Sequence, residues 1–206
     1  MSLYDWYAKA LSDNKQILQR ITNVLVADSA FSKKPFIDNM LGIGFNVVSR
    51  LRHDAALYYL WEGDPTGKPG RPRVKGEKID FKNIDKSKVA ILDTDESNGQ
   101  VYALKAWCKS LHRKISLVIH ILPKGGHRLY FSTDESMSGR DVMEYYCTRF
   151  QIEFCFRDAK QFVGLTDSQA RDTRKLDFAF NSSFTAVNVA KICAVNTISL
   201  SGGLKL

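Results

Sequence analysis

Apolar positions recur along this chain in two rhythms, and the changes between them divide it. From about Leu3 to Arg20 they return at helical spacing, with Leu3, Trp6, Tyr7, Ala10, Leu11 and Leu18 as the expected buried stripe. Ile21 to Ala27 is a short apolar run closed by Asp28, the form of a buried strand in a mostly parallel sheet. A carboxylate so placed emerges at the carboxyl end of its strand, where open α/β sheets hold ligands. A solvated Asp that merely closes a strand has the same pattern. Pro35 suits the first turn of a helix running to about Leu41, which Gly42 and Gly44 end. Gly44 to Leu51 is the next strand. Its end, Ser49-Arg50-Leu51-Arg52, carries two cations suited either to surface solubility or to phosphate contact through the guanidinium fork.

The pattern then breaks. Residues 63–88 hold Pro65, Pro69 and Pro72, four glycines and eight cations, among them Arg71, Arg73 and Lys75, and so predict a flexible basic loop. Gly70-Arg71-Pro72 has the core of a minor-groove hook, but Pro69 stands where a leading Arg belongs. From Val89 the period is that of strands: 89–92, 100–107, 115–122 and 128–132, with turn-like residues at 93–99 and Gly125-Gly126 between them. The 93–99 segment lacks the closing Glu of a calcium loop. Ser132 to Gly139 offers N-caps for a helix running from about Gly139 to Phe162 and stopping near Gly164. Residues 171–199 predict one more helix, with Leu176, Phe180, Phe184, Val187 and Ile192 as candidate core.

Composition narrows the class of partner. The 206 residues, 44% hydrophobic and 25% charged, are ordinary globular material, and the formal net charge of +8 favours an anionic partner, nucleic acid before membrane. No apolar run approaches a membrane span, and Met1 to Lys15 lacks the apolar core of a leader peptide. The four cysteines form no C-x-x-C pair, which argues against zinc and for reduced thiols. The expectation is a soluble, basic, cytoplasmic protein.

The densest chemistry lies in Tyr145 to Lys160, which has no Gly or Pro. On a continuous helix Tyr146, Arg149, Glu153 and Lys160 fall within an arc of roughly 60°, with Arg157 close beside, over about 21 Å. Glu153 has an Arg four residues away on each side, which is also the arrangement of surface ion pairs. Phe150, Ile152, Phe154 and Phe156 crowd the segment and predict partial burial around Glu153.

The spacing Tyr-x2-Arg-x3-Glu-x6-Lys, filled by Tyr146, Arg149, Glu153 and Lys160, resembles the signature of a group of DDE transposases from bacterial insertion sequences. In that group the Glu is the third metal-binding carboxylate of an RNase H-like fold. The second carboxylate, an Asp, ends a strand as Asp28 does, and a hairpin-rich insertion separates the two. The resemblance implies an α/β fold: a partial RNase H-like catalytic core, its later strands and helices, with a β-rich insertion. Residues 1–54 would form the second half of the core sheet, 55–133 the basic loop and strand insertion, and 134–206 the Glu helix and C-terminal helix.

It also implies Asp28 and Glu153 as catalytic and metal-binding carboxylates, with Tyr146, Arg149 and Lys160 contacting DNA. Arg157, Arg50, Arg52, Arg71, Arg73 and Lys75 join them as phosphate contacts. The implied cofactor is Mg2+ (or Mn2+), two ions in the complete site. Two ions about 3.5–4 Å apart activate the attacking oxygen and relieve charge on the leaving one, and carboxylates are their ordinary ligands. The implied partners are double-stranded DNA, as transposon ends and target, and a second copy of the chain holding the other end. No membrane is implied, and the location would be the cytoplasm, on the nucleoid.

The family's first Asp lies on a strand upstream of the second. Asp5 and Asp13 sit in a helical pattern and do not fill that place, and the first three strands of the core have no counterpart. The expectation is therefore a fragment of a cut-and-paste transposase, clipped at both ends, weak or inactive alone, with an exposed strand edge. The alternative is a non-catalytic remnant that grips phosphates without cutting.

Overall fold

A computed structural model describes residues 2–63, 72–93 and 99–200, the side chains of Asp93 and of residues 195–200 excepted. The chain forms two compact units, Met1–Arg149 and Phe150–Leu206. In the first, the apolar runs at 46–51, 113–121 and 127–132 become strands because their bulk is buried on both sheet faces, and shorter or more exposed strands pair around them. The strands are β1 (Val24–Val26), β2 (Asn46–Leu51), β3 (Leu57–Leu60), β4 (Lys75–Lys78), β5 (Ala90–Asp93), β6 (Gln100–Cys108), β7 (Arg113–Ile121) and β8 (His127–Ser132). One eight-stranded mixed sheet runs in the order β1-β2-β8-β7-β6-β3-β4, with β5 pairing the start of β6. Among the described residues β1 and β2 pair in parallel and the other pairings are antiparallel.

Helices cover both faces. Helices α1 (Leu3–Asp13), α2 (Lys15–Leu18) and α3 (Lys34–Gly42) go with the larger core, in which Phe36, Ile37 and Met40 of α3 meet Val47, Leu57, Leu117, Ile119, Leu129 and Phe131. Helix α4 (Gly139–Cys147) packs Val142 on the opposite face, against Val48, Val118 and Tyr130. Ser138 caps α4, its hydroxyl accepting from the Asp141 N–H as expected of a helix start. Gly139 is needed for close approach: a Cβ there would stand 2.5 Å from that of Ala103 and 2.8 Å from Leu92 Cδ1. Gly44, at φ +90°, turns the chain from α3 into β2 in a conformation that side chains resist.

The second unit is a pair of helices, α5 (Phe150–Phe162) and α6 (Thr173–Leu200). Ala159, Leu165 and Val187 form its small core, with Phe184, Cys155 and Val163 packed around them. The Ser183 hydroxyl donates to the Val163 carbonyl at 3.0 Å, and the Phe156 ring meets Phe184 edge-on at 5.1 Å.

Several expectations change. The 139–162 helix is interrupted at Thr148–Arg149, where the N–H groups of both residues bond three residues back and the Thr148 hydroxyl donates to the Tyr145 carbonyl at 2.6 Å. Such short-range bonds compete with the α-helical ladder and end it. The stripe of the first helix is Tyr4, Ala8 and Leu11, whereas Leu3, Trp6 and Tyr7 are exposed, and that helix ends at Asp13. Helical spacing alone does not say which of two adjacent apolar stripes turns inward. On α6, Phe180 and Ile192 are exposed rather than core, and Phe150, Ile152, Phe154 and Phe156 of α5 are exposed as well. The basic 63–88 stretch contains strand β4, which the run of cations and glycines concealed, and β3 precedes it. Residues 64–71, including Arg71 and most of the hook-like tripeptide, lie outside the described residues, as do 94–98.

Gly139→Ala should lower unfolding stability by about 1–3 kcal/mol through overpacking. Gly42→Ala, where a Cβ meets nothing within 4 Å, should change it by no more than about 0.5 kcal/mol. Urea unfolding midpoints of the two variants test the contrast, and equal midpoints would remove the close-approach argument.

Candidate functional site

The end of β1 is tied to β2 before any charge is considered. Past the last parallel pair, Val26 with Val48, the Ala27 N–H donates to the Val48 carbonyl at 3.0 Å and the chain leaves the sheet at Asp28. The Ser49 hydroxyl, fully buried, donates to the Asp28 carbonyl at 3.1 Å and shares a 2.9 Å hydrogen bond with the Ser32 hydroxyl. Ser32 in turn reaches the Arg50 carbonyl at 2.9 Å. A short 3-10 turn, Ser29–Phe31, follows Asp28, with the Phe31 N–H donating to the Asp28 carbonyl at 2.9 Å. These bonds hold the backbone of Asp28 firmly while its side chain stays 53% exposed.

That carboxylate faces donors. The Ser29 hydroxyl donates to Asp28 Oδ1 at 2.8 Å, and Arg149 Nη1 stands 3.7 Å from Oδ2. The Ser29 hydroxyl bond, with backbone N–H groups of Ala30 and Ser29 and the Arg149 charge, holds the Asp28 carboxyl below the usual carboxylate range against a smaller opposing effect of burial. Asp28 is thus an anion at neutral pH. Arg149 is 19% exposed, in the turn that ends α4, and its guanidinium lies 5.9 Å from the centre of the Tyr146 ring. Tyr146 leans on Tyr130 of β8, ring centres 4.9 Å apart. Burial pushes the Tyr146 phenol up, with Arg50 and Arg149 opposing, so it remains a protonated donor.

Four of the residues expected in the site therefore come together in the first unit: Asp28, Arg50, Tyr146 and Arg149. Arg52 does not join them; it forks onto Asp54 at 3.0 and 3.1 Å on the surface. Arg73 and Lys75 belong to β4 and its approach, where Arg73 lies over the Trp61 ring. Glu153, Arg157 and Lys160 are all on α5 of the second unit and all exposed. Arg157 meets Asp158 at 3.3 Å and the Phe154 ring at 4.9 Å. The helix breaks at Thr148–Arg149, so Tyr146 belongs to α4, Arg149 to the turn after it, and Glu153 and Lys160 to α5. The residues missed from sequence are Ser32, Ser49 and Tyr130. A serine inside the apolar run of β2 was the available sign.

An ionised carboxylate at a strand end, flanked by hydroxyls and cations, is the right kind of ligand for a hard divalent cation beside a phosphate. It is not a complete set. Among the described residues no three His, Cys, Asp or Glu side chains gather to hold an ion. No described helix is long and apolar enough to cross a membrane.

Compared with known proteins, residues 8–189 match the family described as "Transposase DDE domain", a span from α1 through most of α6. A search of curated proteins finds no match.

The Asp28 carboxyl has a lower pKa folded than unfolded, so its contribution to stability is full above about pH 4 and is lost as pH falls through the folded value. Ser29→Ala should raise the Asp28 pKa more than Arg149→Gln does, since the hydroxyl bond is the larger cause. Carboxyl-carbon NMR titration of the three proteins gives the order. A larger rise in Arg149→Gln would make the ion pair, not the hydroxyl, dominant.

Proposed function

The chain belongs to the transposase DDE domain family, and from that premise we propose that it is the later part of a cut-and-paste transposase core, hydrolysing and rejoining phosphodiesters at insertion-sequence ends. The family's chemistry uses divalent metal ions and its substrate is DNA. The mixed α/β architecture, eight strands with helices on both faces, is consistent with an RNase H-like transposase domain. The carrying observation is the meeting of Asp28 with Arg149 and Tyr146, two sequence features far apart in the chain.

In this reading Asp28 and Glu153 are two of three metal-binding carboxylates. The ions, Mg2+ or Mn2+, would supply charge neutralisation at the reacting phosphate. The third carboxylate comes from a strand that pairs with β1, which is the edge strand of the described sheet. Tyr146 donates a hydrogen bond to a DNA backbone oxygen, and Arg149 and Arg50 hold the same strand by charge-assisted bonds. Their position beside Asp28 keeps the phosphate next to the anion while screening the repulsion between them. Lys160 and Arg157 extend the contact from α5, and the strand-rich 55–133 segment is an insertion that widens the grip. Two copies of the chain hold two DNA ends.

The test joins binding, metal and cleavage. Duplex DNA affinity should fall steeply with salt, and Arg149→Gln should weaken it and flatten the slope by about 0.9. Mn2+ should broaden NMR signals around Asp28, an effect absent in Asp28→Asn. Plasmid nicking in Mg2+ or Mn2+ should be weak for this chain and absent in Glu153→Gln. Nicking that persists in Glu153→Gln, or Mn2+ broadening that persists in Asp28→Asn, would overturn the assignment.

A further inference from the structure

The sheet extension has two unlike faces. Side chains alternate along a strand, so Leu57, Tyr59, Ala106, Cys108, Ile115 and Leu117 turn into the larger core. Their neighbours, Tyr58 on β3, Lys105 and Trp107 on β6, and Lys114 on β7, take the other face. The register confirms the grouping: Tyr58 is directly opposite Trp107, and Trp107 is directly opposite Lys114. Helix α4 covers part of this face over Ala103 and Val118. Beyond it the surface carries rings and cations in place of aliphatic side chains.

The rings and cations are already interleaved. Lys75 Nζ lies 5.8 Å from the centres of both Tyr58 and Trp107. Lys78 pairs opposite Tyr58, and the Arg73 guanidinium lies 3.8 Å above the Trp61 ring. Lys75, Lys78, Lys105, Lys114 and Arg73 are all exposed. Among acids on these strands, Glu77 adjoins Lys78 and so alternates to the opposite face. Trp107 also borders a hollow of about 240 Å³ with Pro72, Val74, Lys75 and His112. Its indole N–H is buried and has no hydrogen-bond acceptor among the described residues, an uncommon state for a polar group.

Cations alone would read as a duplex-binding stripe, and rings alone as an unfilled apolar patch. Flat rings spaced across adjacent strands, each with a cation beside it, fit a chain that alternates exposed bases with phosphates. A duplex keeps its bases stacked inside and has no use for the rings. We propose that this face, centred on Tyr58 and Trp107, binds an unpaired stretch of DNA, its bases stacking on the rings and its phosphates on Lys75, Lys78, Lys105 and Lys114. The inference rests on the transposase reading only for the choice of DNA as the nucleic acid. It assigns to the strand-rich segment a single-strand site apart from Asp28.

The test uses the full chain with a 20-nucleotide oligo(dT) in EDTA, so that no cleavage enters, and a duplex of equal length for comparison. Oligo(dT) should quench tryptophan fluorescence. Trp107→Leu should weaken oligo(dT) binding about tenfold and leave duplex affinity within twofold, as stacking on one ring predicts. Tyr58→Leu, a second and smaller change, should act in the same direction. Lys105→Gln with Lys114→Gln, both on the surface, should lower the salt slope for oligo(dT) by about 1.4. Equal loss of single-strand and duplex binding in Trp107→Leu, or unchanged oligo(dT) affinity in all three variants, would overturn the proposal. Failure of nicking with oligo(dT) binding intact would count against the catalytic reading alone.

Discussion

Burial of β2 on both faces is the constraint on which the rest of the first unit depends. Val47 turns into the core beneath α3, and Val48 turns into the core beneath α4. Both are fully enclosed, and so is Ser49 after them. A strand enclosed this way cannot slip by one residue without sending its apolar side chains to the wrong layer. Its register therefore fixes what is attached to it: β1 alongside in parallel, β8 on the other edge, and Ser49 at the level of Asp28. Precision at the candidate site comes from hydrophobic packing several residues away.

Electrostatics then determine what that precision is for. Asp28 is placed by backbone and serine bonds rather than by its charge, which leaves its carboxylate half open to solvent. The cation near it, Arg149, comes from the turn that ends α4, while Arg50 of β2 acts on the neighbouring Tyr146 phenol. Asp28 meets one guanidinium, that of Arg149, and the phenol of Tyr146 lies beside that cation.

Much of the architecture was legible before any coordinates. Strands at 46–51, 90–93, 100–108, 113–121 and 127–132 each fall within one or two residues of the periodicity that predicted them, and Ser138 caps the helix it was expected to cap. Asp28 and the Tyr146–Arg149 pair were legible as candidates because their spacing resembles a known pattern. Less legible were β3 and β4, since strands that show one face to solvent and carry Lys and Gly look like loop. The helix break at Thr148 was hidden because Thr and Arg do not announce a break as Pro or Gly would. It matters, since Tyr146 then lies on α4, Arg149 in the turn, and Glu153 and Lys160 on α5.

Residue type and spacing alone set the class of the molecule: its α/β alternation, its basic charge, its strand-ending Asp28 and its membership of a transposase family. These are local or compositional properties, written in residue type and spacing. Only the tertiary structure decided which of two adjacent stripes of α1 faces inward, that Ser49 and Ser32 hold Asp28, and that Arg50 and Arg149 attend it while Arg52 turns to Asp54. It alone placed Tyr58 opposite Trp107. Each of these depends on which non-adjacent segments share the sheet, and strand pairing is a choice among long-range partners that no short window of sequence contains.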